Sequence, residues 1–146
     1  MYFSKGNVYL DRFHFYKVGP ISKEWKNGVG KFPGVVFENK KIGATIVTEA
    51  ICGGAFEDLS LELLTQNLMA GLGGAKKIKK EFWQLSGREA LYTLTEASLD
   101  GVPEQLEIVV LKKNLCEFDF YSIAAPQNGA AVSQAFADFV KGFEYK

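Results

Sequence analysis

The segment Leu106-Glu107-Ile108-Val109-Val110-Leu111 constrains the fold more than any other part of the chain. Its aliphatic and β-branched residues are typical of a strand, and it is apolar at successive positions. Successive side chains of a strand point to opposite faces of the sheet. An antiparallel strand with one face in water would instead alternate apolar and polar residues. We therefore predict that this segment is an interior strand with both faces covered.

Tight turns connect this segment to its neighbours along the chain. Asp100-Gly101 favours a hairpin, because a two-residue turn of this type needs positive φ at both positions. Strands joined by such short links must be antiparallel, since parallel neighbours need a long crossover. The second half of the chain is therefore predicted to hold four antiparallel strands, over residues 76–85, 88–97, 102–113 and 115–124.

The first half of the chain is predicted to hold three strands. Residues 8–18 alternate in period two and end at Gly19-Pro20, and residues 35–38 and 42–49 follow the same pattern. Between the first and second of these strands, residues 21–30 read as a loop with an Asn27-Gly28 turn.

Two segments have helical periodicity. In residues 57–72 the apolar stripe is Leu61, Leu64, Leu68 and Leu72, with glycines at 71, 73 and 74 expected to end the helix. In residues 130–143 it is Val132, Phe136, Phe139, Val140 and Phe143. Strands flanked by single helices indicate the α+β class. One helix on each face of the interior strand gives a three-layer α/β/α sandwich around a mostly antiparallel sheet of about six to seven strands.

Length and charge restrict the domain organisation and the class of partner. The 146 residues suit a single domain, 1–146, that buries roughly 68–70% of its unfolded surface. Seventeen basic residues balance 17 acidic ones, which argues against a nucleic-acid binder and against a membrane surface held by charge. No apolar run approaches the roughly 20 residues of a transmembrane segment.

Four lysines fall close together on one predicted strand: Lys76, Lys77, Lys79 and Lys80. Lysines of this kind commonly protect an exposed sheet edge from pairing with another chain. We favour that interpretation over an anion-binding patch. The nearby glycines do not form a phosphate loop, because they follow a helix instead of opening one.

Cys52 and Cys116 are 64 positions apart, a spacing that fits neither a redox C-x-x-C motif nor a zinc site. Two alternatives stay open. The cysteines are free core residues in a reducing compartment, or they form one disulfide in an oxidising one. The first residues show no export signal, so we expect a cytoplasmic protein, or a periplasmic or membrane-anchored one if a signal has been removed.

Several segments together resemble the Mog1/PsbP-like fold family, including its bacterial lipoprotein-type members. They are the loop residue Trp25, the strand 42–47, the hairpin 87–101 and the helix 136–143. The resemblance implies an antiparallel sheet between helices and a non-enzymatic accessory or binding role. Family members of known role bind a small GTPase or a photosynthetic complex. Exported lipoproteins are common among the bacterial members, whereas this chain has no lipid-attachment cysteine near its start. The resemblance carries over no functional residue.

Aromatic residues and a single arginine are the candidate binding residues. Tyr16 and Trp25 are candidates because an exposed aromatic can anchor a partner, and the alternative for Trp25 is that it folds back to cap the sheet edge. Arg88 is the third candidate. Glu117 and Asp119 point to one face of their strand and could serve as an acid–base pair, although such residues more often line a solvated strand edge.

The sequence holds no obvious catalytic set. His14 is the only histidine, which rules out a histidine-rich metal site, and it is expected to be a half-exposed strand residue. We therefore predict a non-catalytic binding or accessory domain with no cofactor or metal and an unidentified protein or ligand partner. The alternative is a small enzyme or ligand carrier that uses Glu117, Asp119 and Arg88. A third alternative is a purely structural homodimer.

Overall fold

A computed structural model of the chain describes residues 1–28, 34–70 and 73–146, which form two antiparallel sheets and two α-helices. The three-stranded sheet contains β1 (Tyr2–Ser4), β2 (Asn7–Tyr9) and β3 (Phe15–Lys17). The seven-stranded sheet contains β4 (Lys26–Gly28), β5 (Val35–Asn39), β6 (Ala44–Cys52), β7 (Gly73–Leu85), β8 (Arg88–Leu99), β9 (Val102–Lys113) and β10 (Cys116–Ala124). The helices are α1 (Leu61–Met69) and α2 (Gly129–Lys141), the latter preceded by a 3-10 turn at Pro126–Asn128.

The large sheet has the order β4-β5-β6-β10-β9-β8-β7, and every neighbouring pair is antiparallel. Strand β9, which carries the doubly apolar segment, lies between β10 and β8. The predicted interior position is confirmed. The Asp100-Gly101 turn between β8 and β9 has φ values of 51° and 81°, as that hairpin type requires.

The two helices cover opposite faces of the sheet. Val109 and Leu111 belong to the large apolar cluster that α2 completes. Ile108 and Val110 pack instead with Leu64 of α1. The α+β three-layer sandwich predicted from the sequence is confirmed, and its sheet has the predicted number of strands.

Helix α1 is shorter than the sequence pattern predicted. The Ser60 hydroxyl accepts a hydrogen bond from the Leu63 N–H at 3.1 Å and caps the helix there, so the predicted start at residue 57 is wrong. Leu61 and Leu68 pack around the small cluster as the stripe predicted, whereas Leu72 lies outside the described residues. The glycines at 73 and 74 do not end the helix, because they begin β7.

The N-terminal segment is a hairpin and not the single strand predicted over residues 8–18. The Asp11 carboxylate Oδ1 accepts hydrogen bonds from the N–H groups of Phe13 and His14, at 2.7 and 2.9 Å. This Asx turn interrupts the extended backbone between β2 and β3. The prediction of a turn at Asn27-Gly28 is also wrong, because both residues lie in the edge strand β4.

Strand β7 forms the other edge of the large sheet, where the lysine-rich segment was expected. Its four clustered lysines are exposed. Its pairing with β8 is irregular between Gly73 and Lys76 and again between Lys77 and Lys79. Charged side chains and bulges both discourage pairing with another chain's strand, which supports the edge-protection interpretation.

A disulfide joins Cys52 at the end of β6 to Cys116 at the start of β10. The two cysteines are directly opposite each other in the register of these strands. The bridge therefore ties together two interior strands of the sheet, and the prediction that these two cysteines pair is confirmed.

Candidate functional site

Trp25 lies in the loop immediately before the edge strand β4, and its side chain is only 7% exposed. Its backbone N–H donates to the Ser22 carbonyl oxygen at 3.1 Å, so the loop folds back on itself. The indole belongs to the apolar cluster beneath α2. Trp25 is therefore packed as a cap over the sheet edge and does not project as an anchor.

A groove of about 560 Å³ runs between this loop, the turn joining β5 to β6, and α2. We call it the Trp25 groove. Its apolar lining consists of Trp25, Ile21, Ile42, Ala131 and Ala135, together with the ring of Pro20. Ala131 and Ala135 are one helical turn apart, so small side chains leave that face of the helix open to the groove.

Polar side chains surround this apolar lining. At one side the Lys41 ammonium lies 3.8 Å from the Glu24 carboxylate. On α2 the Gln134 side-chain amide donates to Asp138 Oδ1 at 3.0 Å. An apolar centre within a polar rim is the usual arrangement of a protein–protein interface.

The loop that forms the groove is fixed to α2 by a close approach of backbones. The Gly19 N–H donates to the Phe139 carbonyl oxygen at 2.7 Å. A Cβ at Gly19 would collide with the Asp138 carbonyl oxygen, and one at Gly142 would collide with Gly19 itself. Because neither glycine leaves room for a side chain, the loop and the helix hold a fixed separation where the groove begins.

Tyr16 has no exposed surface. Its ring contacts Phe118 edge to face, and its hydroxyl lies 2.8 Å from the Thr48 hydroxyl oxygen. Burial raises the pKa of the Tyr16 hydroxyl above its ordinary value. Complete burial makes the prediction of Tyr16 as a binding residue wrong, because a surface anchor must reach solvent.

Arg88 is exposed at the start of β8. Strand β9 separates β8 from β10, the strand that carries Glu117 and Asp119. Within the part of the chain that the structure describes, Arg88 forms no ion pair with either carboxylate. The structure therefore does not bring Arg88, the third residue named for the enzymatic alternative, together with the two carboxylates.

The two carboxylates of β10 are buried and do not line a solvated edge. Glu117 is 6% exposed and Asp119 is 3% exposed. Asp119 lies directly opposite Glu49 of β6 in the strand register. These three acids line a cleft of about 160 Å³ between the sheet and α1. We call it the acidic cleft.

The electrostatics of the acidic cleft favour a protonated carboxyl group. Burial, a hydrogen bond with Glu117 and the charges of Glu117 and Glu49 together raise the pKa of Asp119 to about 9. Burial, followed by the charge of Glu117, also raises the pKa of Glu49. At neutral pH the Asp119 carboxyl group is therefore protonated.

The lysine that the strand register places beside the acids of the cleft does not neutralise them. Lys112 of β9 is paired with Glu117 of β10. Its ammonium nevertheless donates to the carbonyl oxygens of Glu57 and Leu59, at 2.9 and 2.6 Å. Lys112 therefore holds the segment before α1 in place and leaves the acids without a cationic partner among the described residues.

Among the described residues, the remaining predicted features do not add to the Trp25 groove and the acidic cleft. His14 is exposed in the turn before β3 and lies 2.9 Å from the Asp11 carboxylate. Across residues 1–28, 34–70 and 73–146, no three His, Cys, Asp or Glu side chains are placed to hold a metal ion. In the same residues, no helix has the length and apolarity to span a bilayer.

The chain folds as an α+β sandwich. Several solved structures are similar to it over most of its length. LpqN of Mycobacterium tuberculosis, involved in cell envelope biogenesis, is 14% identical, with a TM-score of 0.64 over 94% of this chain and 88% of LpqN. The cyanobacterial PsbP protein CyanoP of Synechocystis is 15% identical, with a TM-score of 0.64 over 98% of this chain and 95% of CyanoP.

A third similar structure is a Pseudomonas aeruginosa protein of unknown function, PA94. It is 15% identical and has a TM-score of 0.56 over 91% of this chain and 94% of its own. No protein-family model matches the sequence, and the comparison with curated proteins gives no match. The structural similarities support the PsbP-like fold that the sequence resembles.

Sequence reasoning missed Glu49 and the groove residues of α2. The signal for Glu49 was present in the cysteines. If Cys52 lies opposite Cys116 in an antiparallel pair, then Glu49, three residues before Cys52, must lie opposite Asp119, three residues after Cys116. No comparable signal marks Ala131 and Ala135, because two alanines on a helix surface are common.

Proposed function

We propose that this chain is a non-catalytic accessory domain that binds a partner protein in the Trp25 groove. The observation that supports the proposal is the apolar lining of Trp25, Ile42 and Ala135 inside a polar rim. The expected occupant is a short segment of another protein that places one or two apolar side chains against the indole. Its backbone would reach the polar groups of the rim.

The groove is suited to this role because its walls are already fixed. Trp25 is buried among core residues, and the loop is held against α2 at Gly19. A partner therefore binds a preformed surface and loses little affinity to ordering of loops and side chains.

The disulfide supports action in an oxidising compartment, because structural disulfides form and persist outside the reducing cytoplasm. LpqN, which shares the fold, is involved in cell envelope biogenesis. We propose that this domain also acts outside the cytoplasm, as a periplasmic or membrane-anchored protein.

Site-specific photo-crosslinking in the producing cell tests the groove. Benzoylphenylalanine replaces Ala131, which lines the groove. The matched control places the same residue at Ala130, which is exposed in the same first turn of α2 but does not line the groove. We expect one adduct of defined mass at position 131 and none at position 130.

Identical adducts at the two positions, or none at either, would contradict the proposal. A blocking variant, Ala135→Arg, gives a second test, because the long side chain fills the groove from the helix side. In a chain that carries the cross-linker at position 131, this substitution should reduce the adduct at least tenfold. An unchanged yield would show that the cross-linked protein does not occupy the groove.

A further inference from the structure

The acidic cleft places like charges where a sheet normally avoids them. Glu49 and Asp119 are directly opposite on the antiparallel strands β6 and β10. Like-charged residues in such a cross-strand pair destabilise the sheet. Glu117 lies on the same face two residues from Asp119 and adds a third carboxyl group. An arrangement that costs stability at an interior strand indicates a role other than packing.

Asp119 also has an oxygen with nothing to bond to. Its Oδ1 is fully buried and finds no hydrogen-bond partner within the described residues. The whole residue is 3% exposed and lines the cleft. A buried carboxyl oxygen without a hydrogen-bond partner is costly. A donor supplied by a ligand in the cleft would remove that cost.

Apart from Asn67 of α1, the other walls of the acidic cleft are apolar. Ile51, Phe56, Leu64 and Leu68 line it. The volume of about 160 Å³ is close to that of a protein cavity that holds a molecule of six carbon atoms. The cleft therefore combines carboxyl groups at the sheet with room for a short hydrocarbon chain beneath α1.

We infer that the acidic cleft binds a primary alkylammonium group, carried by a small free amine or by a lysine side chain. An ammonium group has three N–H donors and no acceptor, which matches the carboxyl oxygens of Glu49, Glu117 and Asp119. Its hydrocarbon chain would pack on Leu64 and Leu68. The inference does not depend on the Trp25 groove, which lies on the α2 side of the sheet.

An ammonium ligand would change the protonation of the cleft. A cation beside the acids favours their ionised forms, so binding should release the proton that Asp119 holds. The other titratable groups that face the pair are Lys112, whose ammonium is held by carbonyl oxygens, and Tyr121 of β10. Neither supplies the missing positive charge, because a tyrosine is neutral and Lys112 is already engaged.

Isothermal titration calorimetry with n-pentylamine is the first test. At pH 7.5 we expect saturable binding with a stoichiometry of one. The heat should differ between phosphate and Tris buffers, because a released proton is taken up by the buffer. n-Pentanol, which has the same chain without the charge, should bind at least tenfold more weakly. Equal binding of the alcohol, or no saturable binding of the amine, would overturn the inference.

Isosteric variants test whether pentylamine binds in the acidic cleft. Asp119→Asn and Glu49→Gln should each weaken pentylamine binding at least tenfold. Glu96→Gln removes an exposed carboxylate from β8 and should leave it unchanged. If either cleft variant fails to fold, the other decides the result. Unchanged binding in a folded cleft variant would overturn the inference, and so would displacement of the amine by equimolar Ca²⁺.

A second ligand distinguishes the two sources of the ammonium group, a lysine side chain and a small free amine. The peptide acetyl-Gly-Lys-Gly-amide presents the same alkylammonium on a backbone. Binding of the peptide as tight as that of pentylamine supports a lysine side chain of a partner protein. Binding of pentylamine alone supports a small free amine, because the peptide backbone would then be excluded by the walls of the cleft.

Discussion

Replacing Asp119 by asparagine should stabilise the protein, and the stabilisation should increase with pH. The Asp119 carboxyl group is buried beside Glu117 and opposite Glu49, which raises its pKa to about 9. In the unfolded chain the same group has its ordinary pKa of 3.8. Between these two values the folded protein holds a proton that the unfolded chain has lost. The free energy of unfolding therefore decreases as pH rises across this interval.

The size of the effect follows from one bound proton. Each pH unit lowers the free energy of unfolding by about 1.4 kcal/mol while the proton is held only by the folded state. From pH 5 to pH 8 the loss is about 4 kcal/mol. Asparagine has nearly the same shape and does not titrate in this interval. The stability of Asp119→Asn relative to the unsubstituted protein should therefore rise by about 4 kcal/mol over the same range.

Urea denaturation at pH 5, 6, 7 and 8, at constant ionic strength, measures this difference. Because the charges of Glu117 and Glu49 contribute to the raised pKa of Asp119, the difference reports the titration of Asp119 within the acidic cleft. Glu96→Gln serves as the control and should follow the unsubstituted protein at every pH. Parallel stability curves for Asp119→Asn and the unsubstituted protein would refute the reasoning.

Three further predictions concern the parts of the fold that position the surfaces. Reducing the disulfide, which spans 64 positions, should lower the free energy of unfolding by about 4 kcal/mol, measured by urea denaturation with and without reductant; an unchanged midpoint would contradict it. Gly142→Ala should cost about 1–3 kcal/mol by forcing α2 from the groove loop, whereas Gly28→Ala, whose Cβ would make only an ordinary contact with the Val36 carbonyl oxygen at 3.7 Å, should cost less in the same assay. Tyr16→Phe leaves the Thr48 hydroxyl without its partner and should cost about 1–2 kcal/mol; a thermal midpoint equal to that of the unsubstituted protein would contradict it.

The core of the fold could be predicted because local signals and the hydrophobic pattern agree there. The apolar segment of β9 required cover on two faces, and two amphipathic helices were available to supply it. The Asp100-Gly101 turn fixed the pairing of β8 with β9. Where the local turn signals and the hydrophobic pattern predict the same structure, the sequence is sufficient to predict the fold.

The N-terminal segment could not be predicted because its alternation is local and its break is a side-chain effect. The Asp11 carboxylate turns the chain by accepting hydrogen bonds from two backbone N–H groups. Alternation of apolar and polar residues gives no information about these bonds. Phe13 is consequently 76% exposed, while Tyr16 is fully buried. The short edge strand β4 was missed because Asn27-Gly28 has the composition of a turn.

The burial of Glu117 and Asp119 was missed for a different reason. Their alternation with Phe118 and Phe120 is typical of a strand with one solvent-exposed face. In the structure β10 lies in the middle of the sheet, with Phe118 and Phe120 packed beneath α2 and with Glu117 and Asp119 beneath α1, so both of its faces are covered. A pattern within one strand does not show which strands flank it. The acids are therefore an exception to the rule that polar positions face water.

Hydrogen exchange of the complex tests most directly whether a partner protein occupies the Trp25 groove. The free chain is compared with the chain bound to the protein that cross-links at position 131. The account predicts slower exchange of backbone amides in residues 20–25 and in the exposed first turns of α2, and no change in β7. Protection confined to the β7 edge or to the three-stranded sheet, with the groove segments unchanged, would contradict it.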